Sequence, residues 1–245
     1  MLHSTKGLVL RVVKYGETSV IVSIFTEKLG VQSYIINGIR SKSKSAQSKQ
    51  NFFQPGAMLD LQVYHNEQKN IQRIKDFGWA NVYEHLFFDV EKNAVVVFCV
   101  ELLQKCLKQP EPHEELFYFL EDCFFQLDKG GTKIVANSSL FIALHLAEHL
   151  GIRIINNYSP KHHILDLREG QFTADYPDHP YFVNGKPASI ASDMMRLTQP
   201  SDLMNISIDL QSRRELLKAC ETFYALHITD FGSMRTLPVL QELMK

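Results

Sequence analysis

Apolar and polar residues alternate in short runs through the first 80 residues. From Leu59 to Val63 every second residue is apolar, which is the pattern of a strand with one buried face. Glycines and polar residues separate this run from others, rich in β-branched residues, at 8–13, 19–26, 31–39 and 71–77. Five strands with short turns predict a small closed barrel, for which an OB-fold is the first candidate and an SH3-like barrel the competitor.

The periodicity changes to that of a helix from about residue 84. Along one predicted helix an apolar side chain recurs every three or four positions, at Leu116, Phe119, Leu120, Cys123, Phe124 and Leu127. Further helices are predicted over about 84–108 and 137–151. A capping-box pattern at Ser212-Arg213-Arg214-Glu215 predicts the start of a late helix.

A loop-rich stretch interrupts this helical part at about residues 153–187. It is rich in proline, aspartate, asparagine and histidine, and its pattern predicts a short hairpin within 165–172. The predicted fold class is therefore α+β, with an N-terminal five-stranded OB-fold β-barrel over 1–80. A mainly α-helical domain follows over 81–245 and carries the loop-rich stretch as a small embedded module.

Charge divides the chain more sharply than its net value of −1 suggests. Residues 1–80 hold eleven Lys/Arg and five Asp/Glu, a net charge of +6, whereas the rest of the chain has a net charge of −7. A basic N-terminal part predicts a polyanionic partner such as nucleic acid. The sequence has no apolar run of membrane-spanning or signal-peptide length, which predicts a cytoplasmic protein.

The motifs of common enzyme classes do not occur in the sequence. It has neither a P-loop nor a G-x-S-x-G motif, so we expect neither an ATPase nor a hydrolase with a nucleophile elbow. The four cysteines form no C-x-x-C pair and lie in apolar stretches, which predicts buried free thiols.

The most informative local feature is the basic tract 40–50. It has four basic residues, no acidic residue and many small polar ones, and it lies between two predicted strands. A flexible basic loop at the rim of a barrel can follow a phosphate backbone, and an aromatic ring beside it can stack on an unpaired base. The residues predicted to bind nucleic acid are Arg11, Lys14, Arg40, Lys42, Lys44, Lys49 and Phe52.

Several short motifs follow one another at a characteristic spacing. They are Thr5-Lys6-Gly7-Leu8-Val9-Leu10, Tyr15-Gly16-Glu17-Thr18 and Gly38-Ile39-Arg40-Ser41-Lys42-Ser43, with Arg213-Arg214-Glu215-Leu216-Leu217 near the end. In their order and spacing they resemble the RecO proteins, a family of recombination mediators. The resemblance is strong over residues 1–80, present at the C-terminus and diffuse between them.

The resemblance implies a set of activities and partners. Members of that family bind single- and double-stranded DNA, anneal complementary strands and, with RecR, help to place RecA on DNA coated by single-stranded-DNA-binding protein (SSB). For Arg40, Lys42 and Lys44 the resemblance implies phosphate contacts. It also implies a protein that is not an enzyme and that needs no cofactor. The helical domain is expected to bind the acidic C-terminal tail of SSB, and the candidate residues for that contact are Lys105, Lys108 and Arg153.

One departure from the family concerns zinc. Many RecO proteins carry a four-cysteine zinc module at about residues 153–185, whereas this stretch has no cysteine. It offers His162, His163, Asp166, Asp175, Asp178 and His179, which are poor replacements for thiolates in a structural zinc site. We therefore expect no metal, and a module held together by hydrogen bonds and packing.

Two other functions remain open at this point. An OB-fold RNA-binding module joined to a helical interaction domain would share the basic tract, but it would prefer RNA and would not anneal strands. A metal-dependent hydrolase using histidines and aspartates of residues 145–179 would bind stoichiometric metal.

Overall fold

The computed structural model describes residues 1–41 and 49–244, which form two compact units. The first, here the barrel unit, contains Met1–Tyr83 and Leu107–Glu121. The second, here the helical unit, contains Glu84–Cys106 and the residues from Asp122 on. The domain boundary predicted after residue 80 stays a prediction. By its contacts, the later segment Leu107–Glu121 is part of the barrel unit. Among the described helices none is long and apolar enough to cross a membrane.

The barrel unit is a closed five-stranded barrel with the strand order β1-β2-β3-β5-β4. Its strands are β1 Leu2–Tyr15, β2 Ser19–Thr26, β3 Gly30–Ile36, β4 Met58–Tyr64 and β5 Gln72–Trp79. All neighbouring strands are antiparallel except β3 and β5, which pair in parallel and close the barrel. This order and this parallel closure define an OB-fold, so the predicted OB-fold is confirmed over its SH3-like competitor.

The barrel interior is packed tightly enough to require one glycine. Leu59, Leu61 and Val63 point inward from β4, as their alternation with polar residues predicted. Gly7 faces them from β1, and a Cβ atom there would lie 2.6 Å from Ile24 Cγ2 and 2.7 Å from Leu61 Cδ1. Any side chain at residue 7 would therefore push the interior apart.

A short helical segment covers part of the barrel within the same unit. The ring of Phe117 packs on that of Phe25 with 5.7 Å between centroids, and Lys6 Nζ lies 2.8 Å from Glu121 Oε1. The Tyr118 hydroxyl donates to Glu27 Oε1 at 2.5 Å. Burial alone would raise the pKa of the Glu27 carboxyl, but this bond, a backbone N–H and nearby lysines lower it overall.

Most of the helical residues lie in the helical unit. In chain order the helices are α1 Val90–Cys106, α2 Glu114–Lys129, α3 Thr132–His149, α4 Gly185–Met195, α5 Leu210–His227 and α6 Thr236–Leu243. The first half of α2 belongs to the barrel unit. The mainly helical character predicted for the C-terminal part is confirmed.

Three predicted helix starts were wrong by part of a helical turn or more. Helix α1 begins at Val90 rather than at about residue 84. Helix α3 begins at Thr132 rather than near residue 137, because Asn137 and Ser138 are buried inside the helix instead of capping it. Helix α5 begins at Leu210 rather than at Ser212. Its cap is Asp209, whose carboxylate accepts bonds from the Ser212 N–H and hydroxyl, each at 2.8 Å.

The embedded module is a three-stranded antiparallel sheet in the order β7-β6-β8. The strands are β6 Ile164–Asp166, β7 Gln171–Thr173 and β8 Phe182–Val183, so the predicted hairpin is confirmed. The Asn157 side chain accepts from the Phe172 N–H at 2.8 Å and donates to the Phe172 carbonyl at 3.0 Å. Side-chain bonds to backbone groups of this kind hold the module together.

Within the helical unit, Asp128 binds the backbone of residues 84–86, which precede α1. Its buried carboxylate accepts the backbone N–H groups of Glu84, His85 and Leu86 at 2.7–3.1 Å, and Lys92 Nζ donates to its carbonyl at 2.6 Å. Burial alone would raise the pKa of Asp128, but the three N–H groups and the lysine lower it overall. The ionised carboxylate therefore stabilises this corner of the unit.

We predict that Asp128→Ala lowers the free energy of unfolding at pH 7 by about 3 kcal/mol, because it leaves buried N–H donors without an acceptor. The pKa of Asp128 in the folded protein lies below its ordinary value. The stabilisation by its carboxylate is therefore complete above about pH 4 and is lost as the pH falls through the pKa of the folded state. Urea unfolding of the wild type and variant between pH 7 and pH 3 measures both effects. A loss of equal size at every pH would contradict the role of the charge, and Asp128→Asn serves as the isosteric control.

Candidate nucleic-acid interface

The outer face of the barrel presents three rows of residues that run across its strands. Strand pairing places Arg11, Ser23 and Ser33 in one row, and Tyr15 and Ser19 in another. Between them lies the longest row, which crosses four strands through Val13, Ile21, Ile35 and Arg73. None of the residues in these rows is acidic, and an arginine stands at an edge of two of them.

The composition of this face suits a polyanion. Arg11 and Arg73 are both exposed, and the residues between them are small hydroxyl or aliphatic side chains that leave the surface level. Farther along β2 the outer face is covered, because Phe25 is buried under Phe117. The acidic residues Asp60 and Asp76 face outward from β4 and β5 instead, in register with Gly78 and Gln62. Lys6 of β1 stands opposite Asp60, but no acidic residue stands in the rows that contain Arg11 and Arg73.

A bulge in β1 places Arg11 on this face. Gly7 and Val9 face inward, so uninterrupted alternation would put residue 11 inside as well. The pairing with β2 shifts by one residue between Val9 and Arg11, and Arg11 then stands opposite Ser23 on the outside. Lys14, three residues later, lies on the other face of β1, where the end of the hairpin leaves it exposed.

Arg40 ties the start of the basic tract to the turn between β1 and β2. Its Nη1 donates to the Gly16 carbonyl at 3.1 Å, and its backbone N–H donates to the Thr18 carbonyl at 2.9 Å. The side chain is partly exposed, so the guanidinium keeps donors beyond the one that Gly16 uses. Lys42 and Lys44, which were predicted to contact phosphates, lie outside the described residues.

An aromatic cluster lies at the same end of the barrel as Arg40 and Lys14. The turn between β1 and β2, the last residues of β3 and β5 and the first of β4 meet at this end. Phe52 stacks on Trp79 with centroids 4.5 Å apart and an interplanar angle of 20°, and its edge contacts Phe77 at 5.3 Å. Lys49, three residues before Phe52, is exposed.

Sequence reasoning missed Arg73 and Trp79 in this region. Arg73 stood at a polar position of the predicted fifth strand, but its place on the outer face depends on the parallel pairing with β3 and on a bulge opposite Gln62 and Val63. Trp79 lay just beyond the predicted end of that strand. Its spacing of two residues from Phe77 was the available signal, because residues two apart share one face of a strand.

The three residues predicted to bind the SSB tail do not all belong to the same unit. Lys105 Nζ donates to the Phe231 carbonyl at 2.7 Å and lies 5.3 Å from the centroid of the Phe231 ring, so it already has contacts inside the helical unit. Lys108 is exposed and belongs to the barrel unit. Arg153 is exposed and belongs to the helical unit.

The helical unit has an apolar groove between α1 and α6, with a volume of about 400 Å³. It is lined by Phe87, Phe88, Val90, Asn93, Ala94, Val97, Arg235, Thr236, Val239, Leu240 and Leu243. Phe88 is 83% exposed and Val239 is 56% exposed, so apolar side chains are open to solvent here. The carboxylate of the neighbouring Glu101 is hydrogen-bonded to the start of α6, where it accepts the N–H groups of Arg235 and Thr236 at 2.8 Å.

The described histidines, cysteines and acidic residues form no group of three or more that could hold a metal ion. In the embedded module, His179 Nε2 lies 3.4 Å from Asp166 Oδ2, and Asp166 also accepts two backbone N–H groups. All four cysteines are buried and free, as predicted. Burial raises the pKa of the Cys220 thiol to about 12, so this group stays protonated at neutral pH.

Comparison with known proteins finds two matching family models and several relatives that align with nearly the whole chain. The family model described as "Recombination protein O N terminal" matches residues 1–83, and the one described as "Recombination protein O C terminal" matches residues 88–158. A protein of Christiangramia forsetii named DNA repair protein RecO is 29% identical over 248 residues, and one of Flavobacterium psychrophilum with the same name is 29% identical over 244. In Bacteroides fragilis a protein of that name is 27% identical over 245 residues. Each alignment covers 99% of both chains.

The chain folds into an OB barrel followed by a helical region, and proteins named for DNA repair match it along nearly its full length. These two findings place the chain in the class of DNA repair proteins. The two family models together match more than half of the residues, and both describe the same protein family. The chain belongs to the RecO family.

Proposed function

We propose that this protein is a recombination mediator in DNA repair that acts through binding rather than catalysis. It binds single- and double-stranded DNA, anneals complementary strands and, with RecR, helps to load RecA onto single-stranded DNA coated by SSB. The observation that supports this proposal best is the outer face of the barrel, where Arg11 and Arg73 stand at the edges of a surface without acidic side chains. Membership of the RecO family supports the choice of DNA as the polyanion.

Contact with phosphates explains why such a face can serve both single and double strands. Lys and Arg side chains that neutralise phosphates gain affinity from the release of counterions, whatever the base sequence. Serine hydroxyls in the row of Arg11 can donate to phosphate or sugar oxygens, and the aliphatic row that ends at Arg73 can pack on sugars. The proposed assignment extends to Lys14, Arg40, Lys42, Lys44 and Lys49, which belong to the same barrel unit or to the basic tract within it.

The apolar groove of the helical unit is the surface that suits the SSB tail best. An acidic tail that ends in an apolar residue needs an apolar groove beside a basic side chain. The groove provides Phe88, Val97 and Val239 as the apolar part and the exposed Arg235 as the basic part. We therefore propose Arg235, rather than Lys105 or Arg153, as the residue that pairs with the acidic tail.

We predict that Arg11→Ala and Arg73→Ala each weaken binding of a fluorescent oligo-dT strand by about three- to tenfold and reduce the salt dependence by about one counterion. Fluorescence anisotropy across a salt series measures both quantities. Lys28→Ala is the matched control, since it removes one exposed lysine from the opposite end of the same barrel. Losses no larger than that of the control would contradict this placement of the DNA, and tighter binding to an RNA strand of equal length would favour an RNA-binding module.

We predict that Arg235→Ala and Val239→Asp each weaken binding of an SSB tail peptide by about tenfold, because one removes the basic partner and the other places a charge in the groove. Calorimetric titration of the full chain with the peptide measures the affinity. Arg153→Ala provides a control with the same change of charge in the same unit. A large loss in that control with none in Arg235→Ala would instead support the placement predicted from the sequence.

A further inference from the structure

The aromatic cluster at the end of the barrel is only partly explained by packing. Phe77 and Trp79 lie in register with the inward residues Leu61 and Leu59, so they continue the barrel interior toward its end. Phe53 is buried against Phe77, with centroids 4.8 Å apart, and completes this packing. Phe52 and Trp79 both remain partly exposed, although their rings stack on each other. The cluster therefore has a buried part and an open pair of stacked rings.

The chain segment that contains Phe52 is rich in basic residues, whereas Asp60 and Asp76 face outward from β4 and β5 beside Gly78 and Phe77. In the sequence no acidic residue occurs between Glu27 and Asp60, an interval that contains Phe52 and the basic tract. Of the described residues at this end of the barrel, Lys14, Arg40 and Lys49 are basic, and Glu17 in the turn between β1 and β2 is acidic. An anionic chain that crosses the outer face past Arg11 and Val13 reaches this end at Tyr15, a residue that is 51% exposed.

We propose that Phe52 and Trp79 form a platform on which unpaired bases stack, and that this platform gives the protein its preference for single strands over duplex. The inference rests on the proposed function, since it assumes that DNA lies on the barrel. The arginines of the outer face contact phosphates, which both forms of DNA carry. A flat ring can receive only a base whose face is free, and in a duplex both faces of each base are covered by its neighbours.

The same distinction has a consequence for annealing. Two complementary strands that pair on the barrel withdraw their bases from the platform, because the bases then stack within the duplex. The product keeps its phosphate contacts and loses its stacking contacts, so it binds more weakly than either single strand. The platform thus favours the release of annealed DNA and the retention of unpaired DNA.

Trp79 is the single tryptophan of the chain, so its fluorescence reports on the platform without a label. The experiment titrates the full-length protein with oligo-dT, with an abasic strand of the same length and with a duplex. We expect oligo-dT to quench the emission, and the abasic strand and the duplex to bind without comparable quenching. Equal quenching by oligo-dT and by the abasic strand would overturn the inference, because an abasic strand has no base to stack.

Variants measured by anisotropy with labelled DNA complete the test. Trp79→Leu is expected to weaken binding of oligo-dT about tenfold and duplex binding less than twofold, while Trp79→Phe keeps most of the affinity. Phe53→Leu is the matched control, since it changes a buried ring of the same cluster and should leave the ratio of the two affinities unchanged. Equal losses on both forms of DNA in Trp79→Leu would overturn the inference alone. Failure of the wild type to bind either form would overturn the proposed function, and the platform with it.

Discussion

The parallel pairing of β3 with β5 is the constraint on which the barrel and its proposed binding face depend. It sets Ile35 beside Arg73 and thereby joins the two ends of the sheet into a closed OB barrel. Gln72, directly before Arg73, is buried and fixes the preceding loop, because its side chain bonds three backbone groups of Asn66 and Lys69 at 2.6–3.0 Å. A buried amide with its hydrogen bonds satisfied specifies one register, since a slip by one residue would leave these groups without partners.

Closure of the barrel places charged and aromatic side chains of the barrel unit on different parts of its surface. Arg11 and Arg73 come to the same outer face, the acids Asp60 and Asp76 lie elsewhere, and the open rings of Phe52 and Trp79 lie at one end. The proposed phosphate contacts on this face and the proposed stacking of unpaired bases on the platform give a physical basis for a mediator that holds single strands and releases duplex. The function proposed for this RecO family member requires no chemistry from the protein, only differences in affinity between forms of DNA.

The sequence predicted the elements of the barrel better than it predicted which residues lie on the proposed binding face. Alternation in β4 placed Leu59, Leu61 and Val63 correctly, because period two depends on local geometry alone. The position of Arg11 depends on a bulge, and that of Arg73 on a second bulge and a non-local parallel pairing, neither of which leaves a local sequence signal. In the helical unit the start of α5 was misplaced because the pattern at Ser212 resembled a cap, whereas Asp209 supplies it.

Photo-crosslinking tests most directly whether DNA lies on the barrel. An oligonucleotide that carries 4-thiothymidine is bound to the full-length protein, and the complex is irradiated. The peptides that become crosslinked to the DNA are then identified by mass spectrometry. The proposed interface predicts crosslinks within residues 11–23, 31–41 and 49–79, on the outer face and at the aromatic end of the barrel unit. Crosslinks confined to the helical unit, at residues 84–106 and 122–244, would contradict it.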